Sequence, residues 1–587
     1  MLVVRQPGIY IQSQSTPEEP VLRLNSKGIT GFVGISERGP LQKAIRISSF
    51  ETYQKIFGGF NCPGFMPYAV YGFFNSGGTE CVVVRTAGQS GSGSVSCAEY
   101  TVNNLSQKAF AKFVTVSEGS WGNSITIKLW HSVVDRIEPI EIDTVGKGFE
   151  LKDNTRIEIG AYIRIQAEGR VYYRKIKKIT ATRIYLDREI KSLVRFSQHN
   201  VKIEVLNFNC SLSDGKCHEN YLLLSTNPNS DNYFVDVINR RSSLVRVVKE
   251  TTVDGFPEEV SFRTLSKGRD GVLNIKPGDF IGEYYGNVSG RGLGIFEGIE
   301  DINVIAIPDS QIFSHLKLLS PNEASDAIFT VQTAMISHCE KQKNRFALLD
   351  VPNYDQPTLA SNWIRRFDTM HAATYFPFVE MIDPADRRGI HTITVPPSGH
   401  IAGSMQKIDR TEGQIHPPAN VYLPGIVGLS FTFDDGECDF LYQSKINVLK
   451  SIPGRGVKVW GARTLSSDEI WRFISIRRTF TLIAEALQAG TSWAVFETNS
   501  FSLRKRLIRN ISGFLVNLWR DGYLAGKTAE EAFFVRCDNE LNPVEEVDIG
   551  RLTVEVGFAL AKPTEFIVIQ LAAERESSNV VIDEKLL

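Results

Sequence analysis

Apolar positions along the chain follow different rhythms in successive segments. From Gly28 to Arg85, strand-like runs (Gly31-Phe-Val-Gly34, Glu80-Cys-Val-Val-Val-Arg85) alternate with helical spacing at residues 49–57 and 68–74, which predicts an α/β layer. Between residues 132 and 212 the helical spacing gives way to short β-type runs, Tyr162-Ile-Arg-Ile, Arg170-Val-Tyr-Tyr-Arg, Arg183-Ile-Tyr-Leu and Val201-Lys-Ile-Glu-Val, set between polar turns. That segment predicts a small inserted β-barrel. Mixed α/β character resumes from 218 to 384, with helices near 232–240 and 325–338 and strands at 304–307 and 346–350, and it is expected to complete the first layer. Beyond Gly389 follow polar loops, a long helix at 468–487, a second at 502–518, and two strands at 552–560 and 565–571, a separate α+β unit.

The fold class read from this pattern is multi-domain, α/β and α+β. Residues 26–131 and 213–388 form a middle domain, 132–212 an inserted β-rich outer domain, and 389–572 a C-terminal core. At roughly 150 residues per domain, 587 residues suit three or four such units. Residues 1–25 and 573–587 fit none of them. Each is polar and holds one short strand-former, Gly8-Ile-Tyr-Ile-Gln12 and Val580-Val-Ile582, too little apolar surface to fold alone. Extended arms are the expectation, ordinary frayed termini the alternative. The run 88–96, almost all Gly and Ser, reads as a flexible connector or surface loop.

Composition narrows the function classes. The 65 Lys and Arg balance 66 Asp and Glu, which argues against a surface built for nucleic acid. No run of about 18 apolar residues predicts a membrane span. Met1-Leu-Val-Val-Arg-Gln-Pro-Gly-Ile-Tyr10 lacks a basic segment followed by a long apolar one, so the chain is expected to be made and kept in the cytosol. The eight cysteines are dispersed without a C-x-x-C pair, which suits buried thiols better than disulfides or a metal site.

Enzyme motifs fail on spacing. Gly88-Gln-Ser90-Gly-Ser92 approaches a nucleophile elbow but has no strand before it. Gly522-Tyr-Leu-Ala-Gly-Lys-Thr528 is one residue short of a phosphate loop and follows a helix, so it reads as a helix end. Gly290-Arg-Gly-Leu-Gly294 lacks the third glycine of a dinucleotide fingerprint, and His218-Glu219 has no second histidine at metalloprotease spacing. An α/β hydrolase is the rival class these motifs leave weakest. No catalytic residue, cofactor or metal ligand is expected.

Other motifs, spread over nearly the whole chain, carry a resemblance. They include Pro7-Gly-Ile-Tyr10, Thr30-Gly-Phe-Val-Gly34, Phe57-Gly-Gly59 and Val83-Val-Arg85 near the start. Toward the end come Val395-Pro-Pro-Ser-Gly399, Ala402-Gly403, Asp409, Pro417-Pro-Ala-Asn420, Gly454-Arg-Gly456, Val459-Trp-Gly-Ala-Arg-Thr464, Arg477-Arg478, Phe496-Glu-Thr-Asn499 and Pro563-Thr-Glu-Phe566. In that order they resemble the contractile tail sheath family of phages and injection particles. The resemblance implies a structural subunit that stacks in many copies around an inner tube, meets baseplate and terminal cap proteins, and contracts without nucleotide hydrolysis. It would assemble in the cytoplasm and bind neither nucleic acid nor membrane. A specialised end-ring paralogue or a non-contractile shell protein of the same particle is the alternative.

The resemblance also implies roles for particular residues. In that family terminal arms join a neighbour's sheet as added strands, which assigns Pro7, Gly8, Ile9, Tyr10, Ile11, Val580, Val581 and Ile582 to inter-subunit arms and strands 552–560 and 565–571 to the accepting sheet. A C-terminal helix in that family meets the tube. Here the helix near 502–518 places Leu503, Leu507, Ile511, Phe514, Leu515 and Leu518 on one stripe, while Arg504, Lys505, Arg506 and Arg509 crowd its first turns. Cations there oppose the helix dipole by roughly 0.3 to 1 kcal/mol each when exposed. An acidic tube would compensate them; a plain solvated basic face is the alternative. Arg463 and the pair Arg477-Arg478 are expected to bind carboxylates such as Asp468 or Glu497.

Overall fold

The computed structural model describes residues 22–24, 28–91, 93–137, 139–143, 147–151, 157–167, 169–190, 201–249, 255–283, 290–316, 319–386 and 388–565. Eight strands build its main sheet: β1 (Ile29–Gly34), β2 (Ala44–Ile47), β3 (Cys81–Arg85), β4 (Ile302–Ala306), β5 (Phe346–Asp350), β6 (Ala372–Phe376), β7 (Asn447–Ile452) and β8 (Gly456–Trp460). Their order is β2-β3-β1-β4-β5-β6-β7-β8. From β3 to β7 neighbours run parallel, while β2 and β8 close the two edges antiparallel. The parallel strands are near-continuous Val, Ile, Leu, Phe and Ala because both of their faces are covered. Two of the strands, β7 and β8, lie beyond residue 389, so the sheet draws on both sides of that expected boundary.

One face of the sheet packs on α3 (Pro321–Gln342), through Ile328, Val331 and Met335. The other packs on α1 (Phe50–Phe57), α2 (Met66–Asn75) and α4 (Ser398–Thr411). The predicted segments at 49–57, 68–74 and 325–338 are therefore helices of the expected layer. Small residues set the contact between α2 and α4. A Cβ on Gly399 would stand 2.3 Å from the Ala69 carbonyl oxygen, and one on Gly403 would stand 2.1 Å from that of Phe73.

Neither α2 nor α4 has a side-chain cap from its own N-cap residue. Distant carboxylates serve instead. Asp309 accepts the Ile35 N–H at 2.5 Å and the Phe65 N–H, and Asp350 accepts the Ser398 N–H at 3.0 Å and the Ser398 hydroxyl at 2.6 Å. Burial pushes the carboxyls of both Asp309 and Asp350 up to about 7.

The β-rich layer comes from residues 99–264. Its nine-stranded sheet includes the long strands Thr126–Ile137 and Val201–Ser213, and a three-stranded sheet joins 99–103, 109–115 and 245–249. The expected limits at 132 and 212 fall inside those long strands. The closed barrel expected here is replaced by an open path among the described residues, ending at 139–142 and at 260–264. The physical reason lies in the strand Val201–Ser213. Its first half pairs with 162–167 and its length pairs with 126–137 from Ile203↔Ile137 to Ser213↔Thr126, so the ladder runs out of one core cluster into the next without curling on itself. No described helix is long and apolar enough to cross a membrane.

Candidate functional site

The C-terminal unit centres on two helices, α5 (Ile474–Gly490) and α6 (Phe501–Arg520). Ser500 caps α6, its hydroxyl accepting the Leu503 N–H at 3.2 Å. Leu503, Leu507, Ile511, Phe514, Leu515 and Leu518, the stripe read from the sequence, are all buried. From Ile511 onward they pack with Ile483 and Ala486 of α5, with Leu22 and Leu24 against the same cluster. The root of the N-terminal segment is thus held here, where a Cβ on Gly490 would meet Leu22 at 2.0 Å.

The four cations of α6 divide into two pairs. Arg504 donates to Asn499 Oδ1 at 3.0 Å and to Asn539 Oδ1 at 2.9 Å, and Arg506 lies over the Trp493 ring at 4.5 Å. Their donors are turned toward the protein. Lys505 and Arg509 are exposed one turn apart on the opposite side from the apolar stripe, Lys505 with its ammonium 4.5 Å from the Phe501 ring centre. Arg504, Lys505 and Arg509 make no ion pair among the described residues, so among those residues no carboxylate answers the charge that opposes the helix dipole.

Two short strands, β9 (Phe533–Arg536) and β10 (Glu555–Phe558), pair antiparallel beside the helices. The predicted strand 552–560 is therefore present, but β9 is its described partner; 566–571 lies outside the described residues, as do 1–21 and 572–587 with all eight arm residues from Pro7 to Ile11 and from Val580 to Ile582. Phe533, Val535, Val556 and Phe558 face the helices, with Phe558 against Phe480 at 5.5 Å. Asn542 pins the connector, donating to Thr553 O at 2.9 Å and accepting the Thr553 N–H at 2.7 Å.

The arginine partners differ from expectation. Arg478 forms a bidentate pair with Asp409 of α4, the side chains 6% and 1% exposed, and Arg463 pairs with Glu565 through Nε at 3.0 Å and Nη2 at 2.7 Å while stacking on Tyr442 at 3.9 Å. Arg477 donates to Lys343 O and His371 Nε2, each at 3.2 Å, and lies over Trp471 and Phe480. Neither Asp468 nor Glu497 serves: the Asp468 carboxylate accepts the Ile470 N–H of its own turn. Local guesses failed because the acceptors lie 69 and 102 positions away along the chain. Asp409 and Glu565 both stood within motifs quoted from the sequence, which was the signal available. Asp309 and Asp350 carried none.

The segment Gly522–Thr528 follows the end of α6, with Gly522 at φ 81°, as the helix end expected there. What this surface offers is a basic helix face, a strand pair and a clamp on the departing chain, features that suit assembly.

The sequence matches the phage tail sheath protein central domain over residues 318–465 and the phage tail sheath C-terminal domain over residues 466–574. A prophage major tail sheath protein of Pseudomonas aeruginosa (strain UCBPP-PA14) is 28% identical over 253 residues, 42% of this chain and 62% of that protein. The tail sheath protein of Escherichia phage P2 is 25% identical over 197 residues, 32% of this chain and 48% of its own length. The chain thus spans less than two thirds of these relatives. Among solved structures, the sheath tail protein of Desulfitobacterium hafniense is similar with a TM-score of 0.54 at 13% identity, covering 90% of this chain and 94% of that one. The helical sheath of the anti-feeding prophage in its contracted state gives 0.50 at 19% identity, covering 97% and 100%. At these identities the likeness is one of fold.

Proposed function

Since the chain belongs to the phage tail sheath family, a family of structural components of tail particles and not of enzymes, we propose that it polymerises around an inner tube and contracts to drive that tube through a target envelope. The observation that carries this reading is the match of residues 318–574 to two sheath domains in succession, in the unit that exposes Lys505 and Arg509 and the strand pair β9 and β10.

In this reading the N-terminal and C-terminal arms, around Ile9 to Ile11 and Val580 to Ile582, add strands to neighbouring copies. An extended arm supplies a backbone ladder without a core of its own. The exposed face of α6 meets an acidic tube. The β-rich layer, whose strands leave the main sheet and return to it, lies outward. Contraction is a repacking of interfaces between two states while the arms hold the copies together, and the energy is stored in assembly.

Negative-stain electron microscopy of the protein alone and with its candidate tube protein tests this. Striated tubules of two diameters, wide and hollow alone, narrow and filled with tube, are the expected result. Dispersed monomers under both conditions would sink the reading.

A further inference from the structure

The long strand Thr126–Ile137 divides its side chains between two faces. Ile127 and Leu129 point into the core of the β-rich layer, together with Cys210 and Leu212 of the neighbouring strand Val201–Ser213. Lys128 and Trp130 take the opposite face. There Lys128 stands across from Ser211, and Ser211 across from Asn220 of the strand His218–Leu224. One row therefore crosses three strands and presents an ammonium, a hydroxyl and an amide.

The row ends at the edge strand Val260–Thr264, where the ladder breaks. Val260 pairs with Leu129 and Arg263 with Ile127, which leaves Ser261 and Phe262 together opposite Lys128 as a bulge. Phe262 adopts a φ of 37°, a backbone that an aromatic residue avoids, and it is 70% exposed. The bulge carries its ring to the ammonium. Lys128 Nζ lies 4.9 Å from the Phe262 ring centre and 5.2 Å from that of Trp130, and Lys128 makes no ion pair among the described residues. An exposed cation–π contact returns less than such backbone strain costs, so the fold alone gains nothing from this arrangement.

We propose that this face is a binding site for an acidic glycan, a chain of sugars bearing carboxylates. The C–H side of a pyranose ring lies against the rings of Phe262 and Trp130, its carboxylate takes the Lys128 ammonium beside them, and its hydroxyls reach Ser211 and Asn220. Each part of the row answers one part of that ligand. A nucleic acid calls for several cations in line, where this row offers one. A peptide strand calls for an open ladder at the edge, which the bulge interrupts. The site goes beyond the assembly reading and stands or falls without it.

The test passes full-length protein over immobilised polygalacturonate, alginate and polysialate, with dextran and polyglutamate as controls, in about 150 mM salt, and reads binding by biolayer interferometry. Binding to at least one of the acidic glycans and to neither control is expected. Phe262→Ala and Lys128→Gln each weaken it about ten-fold, and Phe262→Tyr keeps it. Phe262→Gly removes the ring and relieves the backbone, so it loses binding while the thermal unfolding midpoint stays level or rises, which separates recognition from folding. Silence on all three glycans overturns the inference. Equal binding to polyglutamate reduces the face to charge alone, and equal binding to dextran leaves Lys128 without a role. Undiminished binding by Phe262→Gly places the glycan elsewhere, and each of these three results overturns the inference as well.

Discussion

At the scale of single residues, burial decides the chemistry. Asp350 sits at the end of β5 with its carboxyl on Ser398, fully enclosed, and desolvation outweighs the Ser398 hydrogen bonds, so it titrates near 7. The unfolded chain titrates near 3.8. Between those values the folded state holds a proton the unfolded state has lost, so stability falls as pH rises from about 4 to about 7. An amide mimics the uncharged form and keeps an oxygen that accepts the Ser398 N–H. Asp350→Asn is therefore expected to raise the urea midpoint above pH 7 and to flatten its decline, by at most about 4 kcal/mol, leaving the part due to Asp309. An unchanged slope would show that Asp350 is ionised in place. The bidentate pair of Arg478 and Asp409 works differently, because each charge there answers the other.

Elements are joined through close approach. Gly403 lies in the middle of α4, where alanine alone would add helix propensity of about 1 kcal/mol. Against this, its Cβ would overlap the Phe73 carbonyl at 2.1 Å, and overpacking of that kind costs roughly 1 to 3 kcal/mol or more. The contact wins because backbone cannot swing aside as a long side chain can. Gly403→Ala is expected to destabilise by about 1 to 2 kcal/mol in denaturant unfolding; a stabilised variant would mean that α2 and α4 slide apart freely. The motif Ala402-Gly403 was visible in the sequence, but its partner in α2 was not, since they come from positions more than three hundred residues apart.

Across the whole molecule, positive and negative charges nearly cancel, so attraction to an acidic tube depends on where cations are left free. The structure separates the cations of the predicted cluster into two pairs. Arg504 and Arg506 are held by Asn499, Asn539 and Trp493, whereas Lys505 and Arg509 face outward. Lys505→Glu with Arg509→Glu is expected to abolish co-sedimentation with tube while hollow tubules still form. The remaining attachment of the single variants should weaken as salt rises from 50 to about 300 mM, because exposed charges are screened over about 10 Å. Normal sheathed tubes from the double variant would assign tube contact elsewhere.

The sequence by itself determined what depends on a dozen neighbouring residues. The stripe from Leu503 to Leu518, the strands from Cys81 to Arg85 and Phe346 to Asp350, and the helix end at Gly522 follow from local period and turn chemistry. Family motifs extended that reach to the sheath fold. Only the tertiary structure decided matters of long-range encounter. Among the described residues the ladder between 126–137 and 201–213 stays open where a closed barrel was expected, since closure depends on how far strands run on into the neighbouring core. Arg463 and Arg478 take Glu565 and Asp409, since a buried guanidinium binds whichever carboxylate the fold brings to it, at any distance along the chain.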